Sequence, residues 1–137
     1  VKKRNAKTIK SYGNMHVAID EVTWNEVNDF IGQSEQYIEK FRYIVDGIVE
    51  GRKLTDLFDK EKISNKCKDV WAMKFFKGGS NGRLYCKKVK DGDNITVIVA
   101  SKPLWKKKNQ KNGDKEINLI EAVASFEYNI IYEESIW

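Results

Sequence analysis

Three β-prone runs, Val70–Phe76, Arg83–Lys90 and Ile95–Ser101, are separated only by Gly78-Gly79-Ser80-Asn81-Gly82 and by Asp91-Gly92-Asp93-Asn94. That spacing constrains the chain more than any other feature. A parallel connection needs a crossover of roughly a dozen residues or more. Two short linkers rich in Gly, Asn and Asp accept positive φ and instead dictate hairpins. The three runs are therefore expected to form an antiparallel meander.

Helical periodicity precedes this block. Met15–Val22 reads as a short strand, and Thr23-Trp24-Asn25-Glu26 has the form of a capping box, with Val22 and Val27 at the staple positions. Trp24, Val27, Phe30 and Ile31 then share one helical face as far as Gly32. A second stripe runs from about Ser34 through Tyr37, Ile38, Phe41, Ile44, Val45, Ile48 and Val49 to a stop at Gly51. These stripes read as core, and the short break between them suggests an αα-hairpin. Arg52–Asp69 is polar and irregular, with one helical turn at Leu54–Phe58. After the meander, Asp114 is placed to cap a last helix through Ile117, Leu119, Ile120, Val123 and Phe126. Asn129–Trp137 is either a short strand or a docking tail. Val1–Asn14 carries five basic residues and little apolar patterning, and reads as a mobile basic arm or poorly ordered terminus. The expected organisation is thus an arm over 1–14 and one α+β domain over 15–137.

At 137 residues the chain can bury a core without disulfide or metal support. Cys67 and Cys86 stand alone, without the spacing of a zinc site or the number for a disulfide framework, and read as reduced thiols of a cytoplasmic protein. No apolar run is long enough to span a bilayer, so no membrane partner is expected. The single histidine, His16, excludes any site with two histidine ligands, and a Ser-His or Cys-His pair would have to use it. No metal or cofactor is expected.

The formal net charge is +5, and Lys102–Lys111 places five lysines and Trp105 in ten residues. Strand alternation puts Lys74 on one face of the first run. It sets Arg83, Tyr85 and Lys87 opposite Leu84 and Cys86 on the second. If the registers match, these four groups share one surface of the sheet, with the lysine stretch at its end. Lysine and arginine neutralise phosphates and flat rings stack on bases, so this pattern suits RNA. The alternative is the solvated face of an ordinary antiparallel sheet.

The order of elements resembles the RelE/HigB superfamily of bacterial and phage-derived toxins. Two helices, VWAMKFF, a glycine turn, GRLYCKKVKDGDNITVIVASK, the lysine stretch and EINLIEAVASFEY follow one another over about Val17–Tyr128. The most specific piece is LWKKKNQKNGDKEINLIEAVASFEY, similar to the family's closing pattern of a lysine pair, a polar loop and a Lys-Glu-Ile helix start. The resemblance implies a RelE/ParE-like α+β fold, with an N-terminal strand and helical hairpin packed on a curved antiparallel sheet and a closing C-terminal helix. It implies ribosome-dependent, metal-independent cleavage of mRNA by 2′-hydroxyl attack, and control by an antitoxin protein. Carried over by position, Lys74, Arg83, Lys106 and Lys107 become the catalytic, phosphate-handling set. Tyr85, Lys87, Lys102, Trp105, Lys108 and Lys111 become the RNA-binding set.

The chain departs from the pattern at the proton acceptor. It has no histidine beyond residue 16, and Asn112–Ile117 stands where RelE-like members carry a tyrosine. Tyr85, Tyr128 and a Lys74 neutralised beside Arg83 are the available substitutes. Without a base, two other readings stand: a non-catalytic ParE-like inhibitor of DNA gyrase, or a divergent phage or mobile-element protein of the same fold without toxicity.

Overall fold

In a computed structural model, which describes residues 3–76, 80–107 and 113–134, the chain is a mixed α+β fold built on one eight-stranded sheet. Arg4–Tyr12 (β1) and Met15–Asp20 (β2) form a hairpin through Gly13, whose φ of 59° suits the turn. Trp24–Ile31 (α1) and Glu35–Glu50 (α2) follow, then Phe58–Lys60 (β3), Val70–Lys74 (β4), Ser80–Asp91 (β5), Asn94–Val99 (β6) and Leu104–Lys107 (β7). Asp114–Ser125 (α3) and Tyr128–Ile131 (β8) complete the described elements.

The meander is present: β4 pairs antiparallel with β5, and β5 with β6. The Gly78-Gly79 turn itself lies outside the described residues. The sheet order is β3-β4-β5-β6-β2-β1-β8, with β7 also paired to β5. Most pairs are antiparallel, but β2 runs parallel to β6 and β1 parallel to β8, so the sheet is mixed rather than wholly antiparallel.

The N-terminal arm is corrected outright. Residues 4–12 are a strand between β2 and β8, not a loose extension. Only Ala6 and Thr8 of β1 are buried, and two small side chains leave almost no apolar alternation to read. Its partner β8 lies at the far end of the chain. Lys102–Lys111 is likewise not all loop, because Leu104–Lys107 pairs with the first part of β5.

Both faces of the sheet are covered. One carries α1 and α2, whose Phe30, Phe41, Ile44 and Ile48 pack on Val17, Ile19, Met73, Leu84, Cys86 and Val97. Each large apolar side chain withdrawn from water there stabilises the fold by about 1.5–3 kcal/mol. Ser34 caps α2 by accepting from the Tyr37 amide at 3.3 Å, and Gly51 ends it in the left-handed region at φ 71°. The opposite face carries α3, with Ile120 and Val123 on Val70, Ala72 and Tyr85.

The capping box at Thr23 does not form. Helix α1 starts where expected, but Thr23 has φ −102° and ψ 8°, its side chain makes no cap bond, and its Oγ1 is buried without a partner. Val22 is 65% exposed, so no staple closes onto Val27. The entry is held instead by Asp20, whose Oδ1 accepts from the Val22 amide at 2.7 Å. Its Oδ2 accepts from Arg4 Nε at 2.7 Å and from the Tyr128 hydroxyl at 2.6 Å, tying β2, β1 and β8 together. At the last helix, Gly113 rather than Asp114 occupies the cap position.

Candidate functional site

The β4–β5 register sets Lys74 opposite Arg83, Ala72 opposite Tyr85 and Val70 opposite Lys87. The four predicted groups therefore do share one face. That face is not open to solvent, however, because α3 lies on it. Tyr85 is fully buried and its hydroxyl donates to Glu116 Oε1. Burial first, and the hydrogen bond to the Glu116 carboxylate second, push its phenol well above the ordinary tyrosine value. Tyr85 is thus a fixed donor and neither a base nor a surface for stacking.

Lys87 also has a structural partner. Its Nζ donates to the backbone carbonyls of Ala124 at 3.0 Å and Phe126 at 2.5 Å, closing the C-terminus of α3. A cation there satisfies carbonyls that the helix leaves unpaired and faces the negative end of its dipole. Tyr128, the other candidate base, is raised by burial and then by its bond to Asp20, so it too remains a donor.

What remains is a cluster at the end of the sheet. Arg83 Nη1 lies 3.6 Å from Glu116 Oε1, and the two side chains are 17% and 5% exposed. Arg83 Nε is buried with no hydrogen-bond partner among the described residues. Across the hairpin, Lys74 Nζ donates to Asp59 Oδ2 at 3.2 Å, with Asp59 on the missed strand β3. Lys74 thus stands opposite Arg83, as the strand alternation implies, and is also held in an ion pair with Asp59. Glu116 lies outside the set that strand alternation and the resemblance point to, although its position carries a legible signal. It falls at i, i+4 and i+7 with Ile120 and Val123, a carboxylate in the buried stripe of a helix. It also sits in the first turn of α3, where the helix dipole favours an anion.

The lysine stretch lands beside this cluster by way of a kink. The amides of Ala100 and Ser101 both donate to the Tyr85 carbonyl, at 2.9 and 3.2 Å, while Ser101 Oγ accepts from the Tyr85 amide at 2.9 Å. The chain then continues as β7, with Leu104 opposite Arg83 and Trp105 opposite Gly82. The backbones of Lys106 and Lys107 lie opposite Asn81 and Ser80. Lys102 is exposed, and Lys108 and Lys111 lie outside the described residues.

No family model matches this chain, and no curated protein or solved structure matches it.

Trp105 belongs to the other side of the sheet. Its ring meets Phe30 edge-on at 5.5 Å between centroids and is 54% exposed. Strand alternation along β7 therefore puts Trp105 on the opposite face from Arg83, not alongside it. Gly82 is what allows this packing, since a Cβ there would lie 2.5 Å from the Phe30 ring. His16, the lone histidine, is buried between Ser11 and Asn94. Its Nδ1 is 2.6 Å from Ser11 Oγ and its Nε2 is 2.9 Å from Asn94 Oδ1, joining the ends of two hairpins. Cys67 and Cys86 are both buried free thiols, and burial pushes the Cys86 thiol up. Among the described residues no group of three or more His, Cys, Asp or Glu is placed to hold a metal, and no helix is long and apolar enough to cross a membrane.

Proposed function

We propose that the chain is a RelE/HigB-type toxin, a ribosome-dependent mRNA endoribonuclease of the cytoplasm held in check by an antitoxin protein. The observation that carries the reading is the Arg83–Glu116 pair at 3.6 Å, one strand from Lys74 and beside the β7 lysines. The order of helical hairpin, meander and closing helix supports it further. In this reading a ribose 2′-hydroxyl attacks the adjacent phosphate in line, closing a 2′,3′-cyclic phosphate as the bond from phosphorus to the 5′-oxygen breaks. That oxygen leaves as a 5′-hydroxyl with a proton from water. Glu116 takes the proton, Tyr85 fixes the carboxylate, and Arg83 faces the charge that develops on phosphorus-bound oxygen. The Arg83 Nε–H, without a partner among the described residues, is a further donor for that charge. Lys74 exchanges Asp59, a carboxylate 44% exposed, for a phosphate at little cost because such pairs are worth about 0–1 kcal/mol. Lys106 and Lys107 grip the flanking backbone, and Trp105 offers a base its exposed ring.

The test is tightly controlled expression in bacteria with mRNA ends mapped by primer extension. Cleavage within translated codons is expected, reduced about 100-fold by Arg83→Lys or Glu116→Gln in variants that retain the wild-type unfolding midpoint. Growth arrest with intact mRNA would overturn the reading.

A second reading, a non-catalytic binder such as a ParE-like gyrase inhibitor, draws on the burial of Tyr85 and the structural engagement of Lys87. It predicts DNA damage in place of mRNA cleavage. Fold alone does not choose between them.

A further inference from the structure

On the face of the sheet that carries α1 and α2, well away from Arg83, a cleft of about 460 Å³ opens below the C-terminus of α2. That volume is in the range of small-ligand pockets. Its floor is apolar, formed by Leu54, Phe58, Trp71 and Val97. Phe58 and Trp71 stack at 4.9 Å between centroids with 15° between planes, so the aromatic part of the floor is flat.

Its rim is cationic, with Arg52, Lys53 and Lys88. Arg52 is occupied, its Nε 2.9 Å from Glu50 Oε2 and its guanidinium over the Tyr43 ring at 5.2 Å. Lys53 and Lys88 have no carboxylate partner among the described residues. Lys88 Nζ sits 5.3 Å from the centroid of Trp71, at the apolar boundary of the cleft. The one acid on the rim, Asp59, already faces Lys74 at 3.2 Å. An apolar floor beneath two uncompensated ammonium groups complements one kind of molecule.

We propose that this cleft binds a small organic anion, with its apolar body on Leu54, Trp71 and Val97 and its acidic group between Lys53 and Lys88. The cleft lies on the opposite face from Arg83 and Glu116 and meets the Lys74 ion pair only at Asp59. Its direct test uses 2-naphthoate and the neutral 2-naphthalenemethanol as probes, followed by the indole N–H resonance of Trp71 and the amides of Gly51 and Leu54. Naphthoate should produce a saturable one-to-one shift at these positions. The alcohol should bind about fivefold more weakly, the factor expected of an exposed ionic contact. Lys88→Ala or Lys53→Ala should reduce naphthoate affinity toward that of the alcohol and leave the alcohol unchanged. Equal affinity for the two probes, indifference to both substitutions, shifts spread over other lysine-rich surfaces, or no saturable shift at Trp71 with millimolar probe would each overturn the proposal.

Discussion

Replacing Lys87 with methionine separates a structural lysine from an RNA-binding one. The side chain keeps most of its length and loses its ammonium. In the folded chain that ammonium donates to the carbonyls of Ala124 and Phe126 at 3.0 and 2.5 Å. Hydrogen bonds from a charged donor are worth about 1.5–3 kcal/mol when buried, and a cation at a helix C-terminus about 0.3–1 kcal/mol. Lys87 is only half-buried and water can reach carbonyls left at a helix end, so the expected net loss is about 2 kcal/mol. For a chain of this size that lowers the urea midpoint by on the order of 1 M at unchanged m. Burial lowers the ammonium below its ordinary 10.5, so the unfolded chain binds that proton more tightly and the group's contribution to stability rises with pH just under 10.5. The methionine variant should lose that rise. The matching assay is binding of a single-stranded RNA oligonucleotide against salt concentration, whose slope should be the same in both proteins. A midpoint within about 0.3 M of wild type, together with a salt slope smaller by about 0.7, would make Lys87 a phosphate ligand and refute the reasoning.

Gly82→Ala should destabilise the fold by about 1–3 kcal/mol, because the new Cβ would lie 2.5 Å from Phe30 Cε1 and Cζ and 3.3 Å from Trp105. Thermal unfolding and tryptophan emission would report it, and an unshifted midpoint would count against the packing. Thr23→Val should be neutral or stabilising, since the hydroxyl is buried without a partner; a loss of about 1 kcal/mol in urea would instead show a working cap. In an alkaline titration at 295 nm, absorbance should fall short by two phenolates until the chain unfolds, with Tyr85 and Tyr128 as the silent pair. Both are raised above the ordinary 10.0, so their contribution to stability is complete below pH 10 and declines above it as the unfolded tyrosines ionise. Full ionisation at the start of the titration would contradict their burial.

Local chemistry alone determined the helical hairpin, the meander and the closing helix. Val27, Phe30, Phe41, Ile44 and Ile48 repeat with helical spacing, and Asp91–Asn94 can only reverse the chain, so these elements were legible residue by residue. Alternation also assigned Lys74, Arg83, Tyr85 and Lys87 to one face correctly. What covers that face was not legible, because a strand's period says which side chains travel together and not which helix lands on them. Only the tertiary structure brought α3 there, turning Tyr85 and Lys87 from solvent-facing candidates into fixed donors and introducing Glu116 as the partner of Arg83. Strand β1 escaped for the same reason: its buried residues are small, and it is held by β2 on one side and, on the other, by β8 from the opposite end of the chain. Periodicity records local geometry, whereas pairing between distant segments and the burial it produces are fixed only when the whole chain has closed on itself.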